Sequence, residues 1–150
     1  MISFLFTHGL IYDPKDYYDN NPFTLLIKNK NVDALKTLLK YASFNVSSLI
    51  ETPVMQAIRI NQPDIIPLLI ESGEDAEKLI CVKGEFISAL SLICKSELVN
   101  KEGIASLIIN NSNIIDIDED FQVQGAAHWI CMSKSPAICR MVLQKGIDVN

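Results

Sequence analysis

The sequence predicts an all-α chain, a solenoid built from tandem pairs of short helices. Three observations carry this expectation. One pattern recurs in register four times, each copy reads as two amphipathic stretches broken by a polar turn, and proline and glycine punctuate the copies at matching places. A chain of 150 residues that is 49% hydrophobic and 21% charged has enough apolar material for one ordered domain.

The clearest copy, 52–77, reads TPVMQAIRINQPDIIPLLIESGEDAE, and 125–150 reads GAAHWICMSKSPAICRMVLQKGIDVN. In both, a glycine (Gly73, Gly146) falls 21 residues after the first residue and an aspartate (Asp75, Asp148) two positions later. A third copy starts at Asn21, with Ala42 in the glycine slot. A fourth starts at Ser88 and needs three extra residues, within 97–101, before Ser112 reaches that slot. Phe4 to Gly9 matches the close of a unit whose beginning is missing. The organisation is therefore a single domain, 1–150, with a partial repeat at 1–20 and repeats at 21–51, 52–87, 88–124 and 125–150.

Within a copy, Thr52-Pro53 is a capping hydroxyl followed by proline in the first turn, a helix start. Val54, Ala57 and Ile58 form its apolar face, and Asn61-Gln62 interrupts it. Ile65, Ile66, Leu68, Leu69 and Ile70 make a second amphipathic stretch, opened by Pro63 and stopped by Gly73. Pro67, inside that stretch, predicts a local irregularity. Pro136 repeats the placement of Pro63. Helices this short do not stand alone, but stacked pairs bury a continuous core. Between 74 and 87, Leu79-Ile80-Cys81-Val82 ahead of Lys83-Gly84 suggests a hairpin strand. Val142 and Leu143 are expected to lack a following unit to cover them, which favours a segment of a longer array or self-association through an uncapped end.

Several function classes are disfavoured. A net charge of −5 argues against nucleic acid and acidic membrane surfaces. No apolar run is long enough to span a bilayer, and the opening residues lack the basic flank of a signal peptide. Cys81, Cys94, Cys131 and Cys139 form no C-x-x-C pair, so no metal site is expected and the thiols read as reduced, in an intracellular, cytoplasmic setting. No phosphate loop or paired-carboxylate constellation is present, no cofactor is implied, and His128 lacks a nucleophile and orienting acid. The chain is not expected to be an enzyme. Asp116, Asp118, Glu119 and Asp120 lack the glycine turn and terminal glutamate of a calcium loop.

Thr52-Pro53-Val54 with Ala57, then Ile65-Ile66-Pro67-Leu68-Leu69-Ile70, Ala126-Ala127-His128 and Gly146-Ile147-Asp148-Val149-Asn150 together resemble the ankyrin repeat. The array is degenerate: Thr-Pro is complete once, the histidine occurs only at His128, and the third full unit is stretched. Its abundance of Ile, Asn and Lys, with Arg59 and Arg140 the only arginines, is similar in style to arrays of protists and large DNA viruses. The resemblance implies a right-handed stack of antiparallel helix pairs with projecting finger loops. It implies a protein–protein interaction module that binds a partner through the concave face of the inner helices and the fingers. In family terms His128 is structural.

Reading one register down the copies gives Leu25, Gln56, Leu92 and Trp129 four positions after each start, Lys28, Arg59, Lys95 and Met132 seven after, and Asn29, Ile60, Ser96 and Ser133 eight after. In the family these registers tend to face the groove. Three cations beside a mixed row ending in the only tryptophan suit an acidic, partly apolar peptide; the alternative is an ordinary feature of the family, with Trp129 packed under a neighbour. Tyr12, Tyr17 and Tyr18, among aspartates in the first finger, form either a contact surface or a polar loop covering the core edge. The alternative function is an architectural spacer within a longer array.

Overall fold

The computed structural model describes residues 22–41, 51–76, 78–82, 85–112 and 132–146. Helix dominates among them, as an all-α reading requires. The partial repeat at 1–20, the fingers at 10–20 and 113–124, Ala42 and residues 125–131 lie outside the described residues. Packing divides the chain into two compact units, Met1–Glu74 and Asp75–Asn150.

In the first unit, helix α1 (Pro22–Lys28) is followed by α2 (Val32–Leu39), and α3 (Pro53–Arg59) by a 3-10 turn (Pro63–Ile65) and α4 (Ile66–Glu71). Asn31 caps α2 by accepting the Ala34 N–H at 3.0 Å. Thr52 caps α3 through the Met55 N–H at 3.2 Å, with Pro53 in the first turn, where its missing N–H leaves nothing unsatisfied. The irregularity expected at Pro67 is present. The second stretch of this repeat opens as a 3-10 turn and becomes α-helical only at Ile66, so Pro67 falls in a first turn that needs no donor from it. Phe23, Ile27, Leu35, Leu38, Val54, Ile58, Ile66 and Leu69 are buried, α1 packing on α2 and α3, and α3 on α4.

The second unit contains β1 (Ile80–Val82), β2 (Glu85–Ile87), α5 (Ala89–Lys95), α6 (Lys101–Asn110) and α7 (Pro136–Gln144). The strand suggested by Leu79 to Val82 forms, pairing antiparallel with β2 in the register Ile80 to Ile87 and Val82 to Glu85. Ser88 and Ser91 close a reciprocal capping box at the start of α5, each hydroxyl accepting the other's N–H at 3.0 Å. Here α5 packs on α6 and α6 on α7, around Ile93, Ala105, Ile108, Ile138 and Val142.

The two halves share one local geometry. The helices α1, α3 and α5 each begin one residue after the start of their copy and end seven after it. Left-handed residues follow at Lys30, Asn61, Asn100 and Lys134, the only non-glycine ones among the described residues. Three of them stand nine positions after their starts, and Asn100 stands twelve after Ser88, which is nine plus the three inserted residues. The insertion therefore precedes Asn100. At Lys30 and Asn61 the turn closes the inner helix with the paired bonds of a Schellman motif. Lys30 and Asn31 donate to Ile27 and Leu26, and Asn61 and Gln62 to Ile58 and Ala57, at 2.9–3.1 Å. Gly73 repeats this motif after α4, at φ +92°, and Gly146 is left-handed at φ +88°.

Ser112, in the glycine slot, is not left-handed, and its hydroxyl donates to the Ile109 carbonyl at 3.2 Å. One expectation is corrected. Val142 is fully buried rather than uncovered, because it faces inward with Ile138, whereas Leu143, one residue round the helix, is 46% exposed.

The left-handed turns give a stability prediction of opposite signs. Lys30→Gly is expected to raise stability by up to about 1 kcal/mol, since a side chain in that region costs about 1–2 kcal/mol and glycine gives part of this back through the unfolded chain. Gly73→Ala, where a Cβ meets open space, is expected to lose about 1 kcal/mol for purely conformational reasons. Urea midpoints of both variants check the pair.

Candidate functional site

The geometry built by these turns places the inner-helix residues singled out in the sequence. In the first unit Leu25, Lys28 and Arg59 are exposed and Gln56 is half-buried. Gln56 lies beside the preceding copy, its Nε2 donating to Thr24 Oγ1 at 3.5 Å. Arg59 is not a bare cation: its Nε pairs with Glu51 Oε1 at 2.7 Å. In the second unit Leu92 is half-buried, while Lys95 and Met132 are exposed. Trp129 and the finger residues Tyr12, Tyr17 and Tyr18 lie outside the described residues, as do His128 and Cys131.

Within the second unit the chain opens a cleft of about 680 Å³. One side comes from the end of α5 and the expanded turn, with Lys95, Glu97 and Lys101; the other comes from Met132, Ser133 and Lys134, ahead of α7. It thus joins Lys95 and Met132, two residues of the same repeat register. Lys101 organises it. Its ammonium donates to three backbone carbonyls, Cys94 at 2.9 Å, Ser96 at 3.1 Å and Ser133 at 3.1 Å. The first two lie at the C-terminal end of α5, where carbonyls lack intrahelical partners and carry the negative end of the helix dipole. The third belongs to the next repeat. Beside this clasp, Ser135 caps α7 through the Ile138 N–H and donates its own hydroxyl to Glu102 at 2.6 Å.

A matching device closes the second repeat in the first unit. Glu74 is buried, and its Oε1 accepts the N–H of Val54, in the first turn of α3, at 2.8 Å.

Cys94 lies on the cleft wall, but burial pushes its thiol up to about 11, against the smaller opposing pull of Lys101. It remains a protonated thiol at neutral pH. Among the described residues no three His, Cys, Asp or Glu side chains converge as a metal site. No helix among them is long and apolar enough to cross a membrane.

Sequence reasoning found Lys95, Met132 and Ser133 but missed Lys101, Glu102, Lys134 and Ser135. The one signal that pointed to them was the three-residue excess within 97–101, which locates the expanded turn without saying what it faces.

Compared with models of known protein families, with curated proteins and with solved structures, the chain matches none.

Proposed function

We propose that the chain is a degenerate ankyrin-type array acting as a non-enzymatic protein–protein interaction module. The observation that carries this reading is the left-handed turn recurring nine positions after each start, the stretched copy included once its insertion is subtracted. Such recurrence is what a stack of equivalent helix pairs requires, and arrays of this kind present extended surfaces instead of a reaction centre. Exposed Leu25, Lys28 and Arg59 in the first unit, and exposed Lys95 and Met132 in the second, support binding through the inner-helix registers of each unit.

The test is affinity capture from the native cell. Wild type is compared with an Arg59→Glu, Lys95→Glu, Trp129→Ala variant and with one in which Tyr12, Tyr17 and Tyr18 are alanine. A protein retained by wild type and lost from either variant supports the module. Recovery unchanged by both overturns it in favour of an architectural spacer.

A further inference from the structure

We infer that Ser135 is a phosphoacceptor for a proline-directed protein kinase, and that the phosphate it gains loosens α7 from α6 by facing Glu102. The inference goes beyond the binding reading and stands whether the chain is an interaction module or a spacer.

Two hydroxyl–proline steps occur in the whole sequence, Thr52-Pro53 and Ser135-Pro136. A proline directly after the acceptor is what a proline-directed kinase selects. The fold separates the two steps. Thr52 is 2% exposed, and its hydroxyl is enclosed in the cap of α3. Ser135 is half-buried, between exposed Lys134 and exposed Pro136. Its backbone is extended, φ −117° and ψ 112°, as a residue before proline prefers and as a kinase cleft holds its substrate. It stands at the N-cap of α7, where helices fray first, so presenting it disturbs a single turn.

The transfer balances with ATP as donor. The Ser135 oxygen bonds to the γ-phosphorus, the bond from that phosphorus to the bridging oxygen breaks, and ADP leaves with its electron pair. The hydroxyl proton passes to the catalytic carboxylate of the kinase.

The consequence follows from the two bonds that the Ser135 hydroxyl makes. It donates to Glu102 Oε1 on α6 at 2.6 Å and accepts the Ile138 N–H of α7 at 3.3 Å. Esterification removes its only proton, so the bond to Glu102 is lost. A group of about −1.5 to −2 charge then faces a carboxylate, which repels it. Within α7 the sign is opposite, because the N–H groups of its first turn attract the same charge. Lys101, next to Glu102 in the chain, has its ammonium on three carbonyls and cancels the repulsion only by releasing one of them. Lys134 can pair with the phosphate, but that pair still leaves Glu102 without its donor. The modification therefore keeps α7 helical and weakens its hold on α6.

The experiment treats the full chain with a cyclin-dependent kinase and Mg-ATP and maps the product by mass spectrometry. Phosphate is expected on Ser135 and not on Thr52, and Pro136→Ala is expected to abolish it. Amide hydrogen exchange in α6 of the phosphorylated chain is expected to be about fivefold faster, a modest change because Glu102 is exposed. The Ile138 amide is expected to exchange no faster, and added salt should shrink the difference in α6. Glu102→Gln, which removes the repelled charge, is expected to abolish most of that difference. No phosphate on Ser135, phosphate that survives Pro136→Ala, unchanged exchange in α6, or a difference undiminished in Glu102→Gln would each overturn the inference.

Discussion

Lys101→Met is expected to destabilise the second unit by about 2–4 kcal/mol. Methionine keeps the length and apolar stem of lysine, so the change removes mainly the ammonium. That ammonium has three donors, and three carbonyls accept them at 2.9–3.1 Å. Charge-assisted bonds contribute about 1.5–3 kcal/mol each in buried settings, but Lys101 is only half-buried and water replaces part of the loss. The total is therefore set below the simple sum. Because Ser133 belongs to the next repeat, the loss should appear as faster amide hydrogen exchange in both α6 and α7, with α1 to α4 unaffected. The urea midpoint of Lys40→Met, an exposed lysine in the first unit, supplies the control. If Lys101→Met moves the midpoint no further than Lys40→Met, the clasp contributes nothing.

Glu74→Ala is expected to cost about 2–3 kcal/mol, and Glu74→Gln about half as much. Glu74 is 5% exposed and follows Gly73, whose left-handed turn ends α4 and aims the chain back toward α3. Its carboxylate accepts the Val54 N–H at 2.8 Å, one of the N-terminal donors that a helix cannot satisfy itself. Alanine strands that buried amide without a partner. Glutamine keeps an acceptor oxygen but loses the negative charge that favours a helix N-terminus. Hydrogen exchange at Val54 and the urea midpoints of both variants check this ordering. Equal losses for alanine and glutamine would show that the bond itself is not what matters.

Much of the local fold was legible because its causes are local. Thr52-Pro53 and Ser88 mark helix starts through groups within three residues of the cap, and Gly73 and Gly146 mark stops through backbone conformations few other residues adopt. The hairpin was legible in the same way, from Leu79 to Val82 ahead of Lys83-Gly84. The equivalent left-handed residues Lys30 and Lys134 were not, since lysine carries no preference for that conformation; the repeat imposes it there. Ser112, in the glycine slot of the stretched copy, closes its helix with a hydroxyl bond instead. At the candidate site, register placed Lys95 and Met132 on one face, but gave no hint that Arg59 spends its Nε on Glu51, eight residues back.

The sequence by itself determined the period, the helix starts and most of the stops, because capping, proline geometry and apolar spacing act over a few residues. Only the tertiary structure decided that Glu74 serves Val54, twenty residues away, and that Lys101 reaches Ser133, thirty-two away. Those pairings depend on where folded segments meet in space. A carboxylate or ammonium finds its distant backbone partner only after the helices that carry that partner have packed.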